Sequence, residues 1–405
     1  MKVTVSVLGR FHAYELAAQL QRHGVLHRLL TSLPVSAAAR FGISPANVRT
    51  QLLPEILKRG LARLPGEKTG IWADALAASW YDHWAAGQVE NGQDIFVGWS
   101  GFSRRALARA KAMGAITIVE RHSAHMALQQ ELLTEEFARH GLRFTPTAAS
   151  IVERELAEYD EADYLSVPSL YVRRTFIERG FAPERILHTP LATNTQDFYP
   201  VPKQDGIFRV IHCGAVSLRK GVPYLIDAFT SLRLPGAELW LVGAVADDMR
   251  AFLARHASPQ IRVLGPKPST ELKWYLGQAD VFTLASIEDG FGMVVPQAMA
   301  CGLPVICTRN TCADDIVREG QDGFIVPIRS TEALREKIQW LYDHPTERAQ
   351  MGAQARTRAA QSFSWNAYGD AMVEKYRAVL TRQATRVSAI SSLRTDGSNT
   401  QPQPA

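Results

Sequence analysis

Cysteine is scarce in this chain, and its few cysteines are not arranged as metal ligands. Cys213, Cys301, Cys307 and Cys312 form no C-x-x-C pair, and no histidine cluster joins them to complete a zinc set. Cys301 and Cys307 stand in apolar surroundings, as small buried residues do. The sequence therefore predicts no metal site, and it favours a reducing, cytoplasmic location.

Long apolar runs are also lacking. No stretch of about 18 apolar residues occurs, and the longest candidate, 292–307, is interrupted by Pro296, Gln297 and Pro304. The N-terminal MKVTVSVLGRFH has neither a long hydrophobic region nor a small-residue cleavage site, so it is interpreted as a first strand. We expect no membrane-spanning segment, although this leaves peripheral membrane contact open.

Charge of one sign is not concentrated anywhere along the chain. The net charge is +5 and the pI is near 9.0, which fits an anionic substrate or membrane surface and fits an ordinary soluble protein nearly as well. The basic residues are scattered, and no aromatic–basic stripe accompanies them. This pattern argues against a nucleic-acid partner.

Short apolar runs alternate with longer helical patterns through most of the 405 residues. Strands are predicted at Val3–Leu8, Asp94–Trp99 and Ile116–Glu120, with helices between them. Such alternation is typical of a parallel sheet covered by helices on both faces. The predicted fold class is therefore α/β, and the length favours two domains.

The domain boundary is predicted near residues 191–206. This segment is polar and carries two prolines, and a fresh strand, Phe208–Cys213, follows it. We expect one Rossmann-like domain at 1–195 and a second at 196–364, facing across a shared cleft. An amphipathic helix is predicted at 365–382. The Ser-, Thr-, Gln- and Pro-rich residues 383–405 are expected to be a disordered tail.

Two cations stand at the first turn of the second domain. In HCGAVSLRKGVPYLIDAF, Arg219 and Lys220 precede Gly221 and the start of a helix. Cations beside a helix N-terminus are suited to a diphosphate. The order of residues is not that of a Walker loop. The alternative is a solvated Arg-Lys pair at an ordinary turn.

The richest signal lies further along, in SIEDGFGMVVPQAMACGLPVICT. Asp289 stands between Glu288 and the glycine-containing Gly290–Gly292, and Gln297 falls eight residues after it, in the first turns of the next helix. Glycines let the backbone approach a ligand, and hydroxyl-binding acceptors beside an anion site indicate a sugar nucleotide. The alternative is a glycine turn with an N-capping Asp, which leaves the rest of the phrase unexplained.

Together the two phrases resemble the second domain of the family 4 retaining glycosyltransferases, which have the GT-B fold. Members of that family show a Lys-Gly turn after the first strand of this domain and an E-x7-E motif in phrases such as EGFGLVLLEAMACGLPV. The order of elements is similar up to about Tyr376. The phrase ADYLSVPSLYVRRTFIERGFAPERILHTPLATNTQDFYP is similar to the linker of the family.

The resemblance implies roles for individual residues. Lys220, helped by Arg219, would contact the donor diphosphate, and Ala215 stands where the family has a further Arg. Asp289 takes the place of the first glutamate and would bind sugar hydroxyls, a task that Glu288 would share. Gln297 takes the place of the second, which holds the ribose. Its amide lacks the charge-assisted strength of a carboxylate. The backbone N–H groups of Gly290, Phe291 and Gly292 would bind phosphate or hydroxyl oxygens.

The first domain would supply the acceptor side. Gly9 and Arg10 follow the first strand, where the family has a glycine-rich loop, but one glycine alone fits a plain turn with a surface Arg equally well. The phrase TIVERHSAH places His122 and His125 just beyond a strand end, where the family often has an active-site histidine. His122 is favoured and His125 is the second candidate, while a structural role is as probable for either.

Residues 51–68 form a basic amphipathic pattern. Leucines and Ile56 alternate with Lys58, Arg59 and Arg63. This pattern is typical of helices that lie on anionic lipid, and a helix facing the core shows it as well. Pro54 and Gly60 weaken the helix.

The resemblance implies an enzyme without a cofactor or a metal. It would be a cytoplasmic retaining hexosyl- or glycosyltransferase that moves a sugar from a nucleotide-diphosphate sugar to a glycan or lipid-linked acceptor in bacterial surface polysaccharide synthesis. Two alternatives remain open. One is another GT-B enzyme, an epimerase or a phosphorylase. The other is a catalytically weak sugar-nucleotide-binding protein, which Ala215 and Gln297 would suit.

Overall fold

Two parallel sheets organise the chain in the computed structural model, which describes residues 1–61 and 67–396. The sheets have seven strands in the order β3-β2-β1-β4-β5-β6-β7 and six strands in the order β10-β9-β8-β11-β12-β13. The strands are β1 Val3–Val7, β2 Leu26–Thr31, β3 Val48–Thr50, β4 Ile95–Trp99, β5 Ile116–Glu120, β6 Tyr164–Val167, β7 Ile186–His188, β8 Arg209–Cys213, β9 Glu238–Val242, β10 Ile261–Gly265, β11 Val281–Leu284, β12 Val305–Thr308 and β13 Gly323–Val326. The predicted α/β class with two Rossmann-like domains is confirmed.

Helices connect the strands, as parallel pairing requires. They are α1 Ala13–Arg22, α2 Val35–Ala39, α3 Leu53–Leu61, α4 Glu67–Gly87, α5 Arg104–Ala112, α6 Met126–Arg139, α7 Ala149–Glu161, α8 Leu170–Ile177, α9 Val222–Leu232, α10 Asp247–Arg255, α11 Ser269–Gly277, α12 Val294–Ala300, α13 Ala313–Ile316, α14 Thr331–Asp343, α15 Pro345–Ser362 and α16 Trp365–Asp396. No helix in the described part of the chain is both long enough and apolar enough to cross a bilayer.

Burial explains why the central strands consist mostly of apolar residues. All five residues of β8 are buried, and so are all four of β11, because helices cover both faces of the six-stranded sheet. The core there includes Val210 and Ile306 from strands and Leu225 and Leu334 from α9 and α14.

Three strands are not predicted by the sequence. β3 and β7 have only three residues each, too few to show a period. β2 carries His27 and Arg28 inside an otherwise apolar run, which hides it. The polar segment 191–206 contains no strand or helix, and it lies between the last strand of one sheet and β8.

The two compact units of the structure do not follow the single domain boundary predicted at residue 195. One unit comprises Met1–Val119, Ala157–Tyr164 and the chain from Gly369 onward, and the other comprises Glu120–Leu156 and Leu165–Tyr368. The second unit therefore includes the segments that follow β5 and β6. The hydrogen bonds described below, from these segments to Glu288 and Gly290, are the physical reason.

The C-terminal helix is longer than expected. α16 begins at Trp365 and continues to Asp396, so residues 383–396 are helical where the sequence analysis expects a disordered tail. Extending a formed helix adds one hydrogen bond per residue without a new nucleation cost, and this stretch contains good helix formers such as Ala and Arg. Residues 397–405 lie outside the described residues. So do residues 62–66, which belong to the amphipathic segment 51–68 and include Arg63.

Candidate functional site

The β8–α9 turn positions the two predicted cations. Gly221 caps the N-terminus of α9 with a left-handed φ of 63°, and a Cβ built on it would lie 1.9 Å from the Ala285 carbonyl oxygen. Only glycine fits there, so the turn that carries Arg219 and Lys220 is pressed against the end of β11. The Ile287 N–H donates to the Arg219 carbonyl oxygen at 2.9 Å, which joins the turn to the next loop.

Both cations are paired with the acidic residues predicted beside them. Arg219 Nε donates to Glu288 Oε2 at 2.9 Å, and Lys220 Nζ donates to Asp289 Oδ2. The Asp289 carboxylate is buried. The structure thus brings together four residues that the sequence places about 70 positions apart.

These pairs set the charge states at the site. Burial alone would raise the pKa of Asp289, but Lys220 and Arg219 outweigh it and hold this pKa below its usual value. Burial alone would lower the pKa of Arg219, but Glu288 and Asp289 outweigh it and raise this pKa. The two groups are therefore charged at neutral pH.

Glu288 is fully buried and has no unused oxygen. Its Oε1 accepts from the Ala124 N–H at 2.9 Å. Its Oε2 accepts from Gln129 Nε2 at 2.8 Å as well as from Arg219. Glu288 therefore fixes Arg219 to the segment after β5, and its contact with donor hydroxyls stays a prediction.

Gly290 lies against the same segment. A Cβ on this residue would be 1.6 Å from the His122 carbonyl oxygen and 2.8 Å from the Ser123 nitrogen. The Gly290 carbonyl oxygen accepts from Ser169 Oγ at 2.6 Å. Ser169 also caps α8, since its Oγ accepts from the Val172 N–H. The glycine is needed here for close packing of backbone on backbone, and its φ is not in the left-handed region.

The two candidate histidines occupy different environments. The His125 side chain is buried, caps the N-terminus of α6 by accepting from the Ala127 N–H at 3.3 Å, and packs on Phe176 and Phe181. Burial, with Arg179 and Arg121 adding to it, lowers the pKa of His125 to about 4. These contacts give His125 a structural position.

His122 is the partly exposed histidine of the pair. Its Nε2 lies 3.2 Å from Glu120 Oε2. Burial, and then Arg121, lower the pKa of His122 to about 3, so its imidazole is neutral at pH 7. The structure places the His122 backbone beside the Gly290 loop, and its role as an active-site residue stays a prediction.

The remaining predicted residues of this unit follow Gly290. Phe291 is buried, and its N–H donates to the Asp289 carboxylate. Gly292 has a φ of 81°, and a Cβ there would meet a Leu284 methyl group at 2.5 Å. Gln297 is the fourth residue of α12, as predicted, and is half-buried. Its contact with the ribose of a donor stays a prediction.

Gly9 and Arg10 lie in the first unit, directly after β1. Gly9 has a φ of 90°, and its N–H donates to Ser32 Oγ at 2.8 Å. The exposed Arg10 side chain pairs with Glu15 at 3.1 Å and stacks over the Phe41 ring. The glycine is thus required by its backbone conformation, and Arg10 interacts within its own unit.

Two further residues of the second unit were not predicted. His212, buried on β8, has its pKa lowered to about 4 by burial first and Lys220 second. Tyr171 on α8 is buried and its hydroxyl has no hydrogen-bond partner among the described residues; burial and the Glu288 carboxylate raise its pKa. His212 lies near the end of β8, and Tyr171 follows the end of β6. Their positions near strand ends are the feature of the sequence that could have identified them.

Comparisons with known proteins point to the same part of the chain. Residues 195–358 match the family model described as glycosyl transferases group 1. The match covers the β8–α9 turn and the β11–α12 loop.

Individual proteins are similar to this chain in sequence or in structure. A D-inositol 3-phosphate glycosyltransferase of Pseudarthrobacter chlorophenolicus is 29% identical over 47% of this chain and 49% of its own length, so the chain spans about half of that relative. One of Kineococcus radiotolerans is 26% identical over 93% of this chain and 91% of its own. The crystal structure of Anabaena HepE in complex with UDP-glucose superposes with a TM-score of 0.66, at 16% identity, over 93% of this chain and all of that one. Residues 195–358 are therefore similar to the group 1 glycosyltransferases, and the chain has the two Rossmann-like domains of the GT-B fold.

Proposed function

We propose that this protein is a glycosyltransferase that uses a nucleotide-diphosphate sugar as its donor, with Arg219 and Lys220 holding the diphosphate. The observation that supports this most is the pairing of these two cations with Glu288 and Asp289 at the carboxyl ends of β8 and β11. Ligands of doubly wound sheets bind at that end of the strands. The UDP-glucose complex of HepE agrees with such a donor.

The ion pairs explain how the site would receive the donor. The Lys220 side chain is partly exposed, which would let a phosphate reach its ammonium group from solvent. Arg219 is held by its Nε, which leaves its outer nitrogens for phosphate oxygens. Asp289, still ionised, accepts hydrogen bonds from donor hydroxyls.

Bond cleavage at the anomeric carbon places negative charge on the departing β-phosphate. Fixed cations stabilise that charge in the transition state more than in the ground state, which lowers the barrier. We propose that the anomeric configuration is retained through same-face attack, with the leaving phosphate taking the proton of the acceptor. No protein nucleophile takes part. The two cations fulfil the role that a metal ion has elsewhere, so turnover is expected to be unchanged by EDTA.

The acceptor is proposed to be a glycan or a lipid-linked sugar of bacterial surface polysaccharide synthesis, reached from the cytoplasm. This part rests on the family resemblance and on the mild positive charge of the chain.

Lys220→Ala tests the donor site. Removing one charge-stabilising group costs about 3 kcal/mol of transition-state stabilisation, which is roughly a hundredfold or more in kcat/KM. Lys337→Ala, at a lysine that pairs with Glu336, is the matched control and should leave turnover unchanged. The measurement is sugar transfer from UDP-, GDP- and ADP-sugars to a membrane lipid extract, after a thermal-shift screen selects the donor.

Three results would count against this function. Normal turnover in the folded Lys220→Ala variant would show that Lys220 does not bind the donor diphosphate. Failure of every nucleotide sugar to raise the melting temperature of the wild type would favour a protein without a working donor site. Release of sugar phosphate from glycan and phosphate alone would identify a phosphorylase.

A further inference from the structure

Arg329 has a backbone conformation that favours glycine. It lies between β13 and α14, in the second unit, with a left-handed φ of 61°. A side chain in this region costs backbone energy, and such strain persists only where other contacts hold the residue in place. The contacts of the Arg329 side chain are therefore what keeps an arginine at this position.

Those contacts go to the C-terminal half of α6. Arg329 Nε donates to Glu136 Oε2 at 2.7 Å, and a second guanidinium nitrogen lies 3.0 Å from Glu135 Oε1. The third nitrogen donates to the Leu132 carbonyl oxygen at 3.4 Å. Glu136 is fully buried, and a buried charge that loses its partner is left uncompensated. Arg329 thus fixes the end of α6 more firmly than a surface ion pair would.

The N-terminal half of the same helix is joined to Arg219, one of the two cations of the candidate site. Gln129 Nε2 donates to Glu288 Oε2, and the same carboxylate oxygen accepts from Arg219 Nε. Gln129 and Glu136 are two helical turns apart, so they lie on the same side of α6, about 10 Å from each other along its axis. One side of α6 therefore connects Arg329 to Glu288.

We propose that Arg329 is a positioning residue for Arg219 and that it acts through α6. Held at Glu136, the helix presents Gln129 to Glu288 at a fixed place. Glu288 in turn orients the guanidinium group of Arg219. The inference deepens the proposed function and rests on it for one step, that Arg219 binds the diphosphate of the donor.

Arg329→Gly tests this role, because it relieves the backbone strain and removes the contacts to α6 together. Arg233→Gly is the matched control, since Arg233 also has a left-handed φ, 50°, and its side chain is exposed. Inorganic pyrophosphate is the probe, titrated by calorimetry well below the melting temperature of every variant. Arg329→Gly should bind it at least about threefold more weakly than the wild type, as expected when a charge-assisted contact is weakened. Arg233→Gly should bind it as the wild type does.

Two further measurements separate positioning from a local structural role. The Ala124 amide, whose N–H donates to Glu288, should exchange with deuterium faster in Arg329→Gly than in the wild type. Gln129→Ala alone should also weaken pyrophosphate binding. In the double variant the loss of binding free energy should be smaller than the sum of the two single losses, because both changes cut the same connection.

Three outcomes would overturn the inference. They are unchanged pyrophosphate affinity in Arg329→Gly while the wild type binds pyrophosphate, unchanged exchange at Ala124, and full additivity with Gln129→Ala. If Arg329→Gly does not fold, Arg329→Lys takes its place, because it keeps the charge without the planar guanidinium, and the same three outcomes apply. If the wild type does not bind pyrophosphate but exchange at Ala124 is faster in the variant, the diphosphate site is refuted and the connection through α6 is supported.

Discussion

Glu288→Gln is the substitution whose effect the structure defines most closely. The carboxylate is fully buried, and its two oxygens accept three hydrogen bonds, all from N–H groups. A glutamine side chain has the same shape but only one oxygen, and its nitrogen is a donor. Whichever way the amide is turned, its NH2 group faces the N–H of Ala124, or those of Gln129 and Arg219.

The expected cost follows from that mismatch. A buried donor left without an acceptor costs about 1–3 kcal/mol, and exchanging a carboxylate for an amide opposite Arg219 weakens a charge-assisted bond by about 1 kcal/mol more. We therefore expect the free energy of unfolding of the second unit to fall by roughly 2–4 kcal/mol. For a unit of more than 200 residues this corresponds to a decrease of roughly 4–16 °C in melting temperature.

Thermal and urea unfolding of the wild type and the variant give the comparison. Glu332→Gln is the matched control, because Glu332 is exposed and its pair with Arg335 lies on the surface. Surface ion pairs contribute about 0–1 kcal/mol, so the control should change little. If Glu288→Gln were no less stable than Glu332→Gln, the buried carboxylate could not be holding the three donors, and the reasoning about Arg219 would be wrong.

Two further substitutions test the packing and the electrostatics around the cations. Gly290→Ala places a Cβ 1.6 Å from a backbone carbonyl oxygen and should lower the free energy of unfolding by about 3 kcal/mol or more in a urea titration, whereas Gly206→Ala, with open space around it, should not; equal stability would refute the close contact. The pKa of His212 is about 4 in the folded protein and about 6.5 in the unfolded chain. Between pH 4 and pH 6.5 the unfolded state therefore binds more protons at His212 than the folded state does. The free energy of unfolding of the wild type should rise over this range by up to about 3 kcal/mol from this group. His212→Asn should flatten that rise and His83→Asn, at an exposed histidine, should not; identical pH profiles for all three proteins would show that His212 is not buried in its neutral form.

The local sequence determined the alternation of strands and helices along the chain. Strands β8 and β11 are buried at every position because both faces of their sheet are covered, and their mostly apolar sequences are visible without a structure. The glycines at 221 and 290 and the acidic pair at 288 and 289 were also identifiable, because a turn between a strand and a helix at the ligand-binding edge favours these residue types.

Tertiary structure alone decided which partners these residues have. Glu288 looked like a hydroxyl-binding residue, and only the approach of residues 124–129 shows that its oxygens are already occupied. Position after the strand end favoured His122 over His125 only slightly, and the structure separates them because His125 caps a helix and packs on phenylalanines. The sequence sets which groups are available at the end of a strand. The hydrogen-bond partners of Glu288 lie 69 to 164 positions away, and no local pattern records their approach.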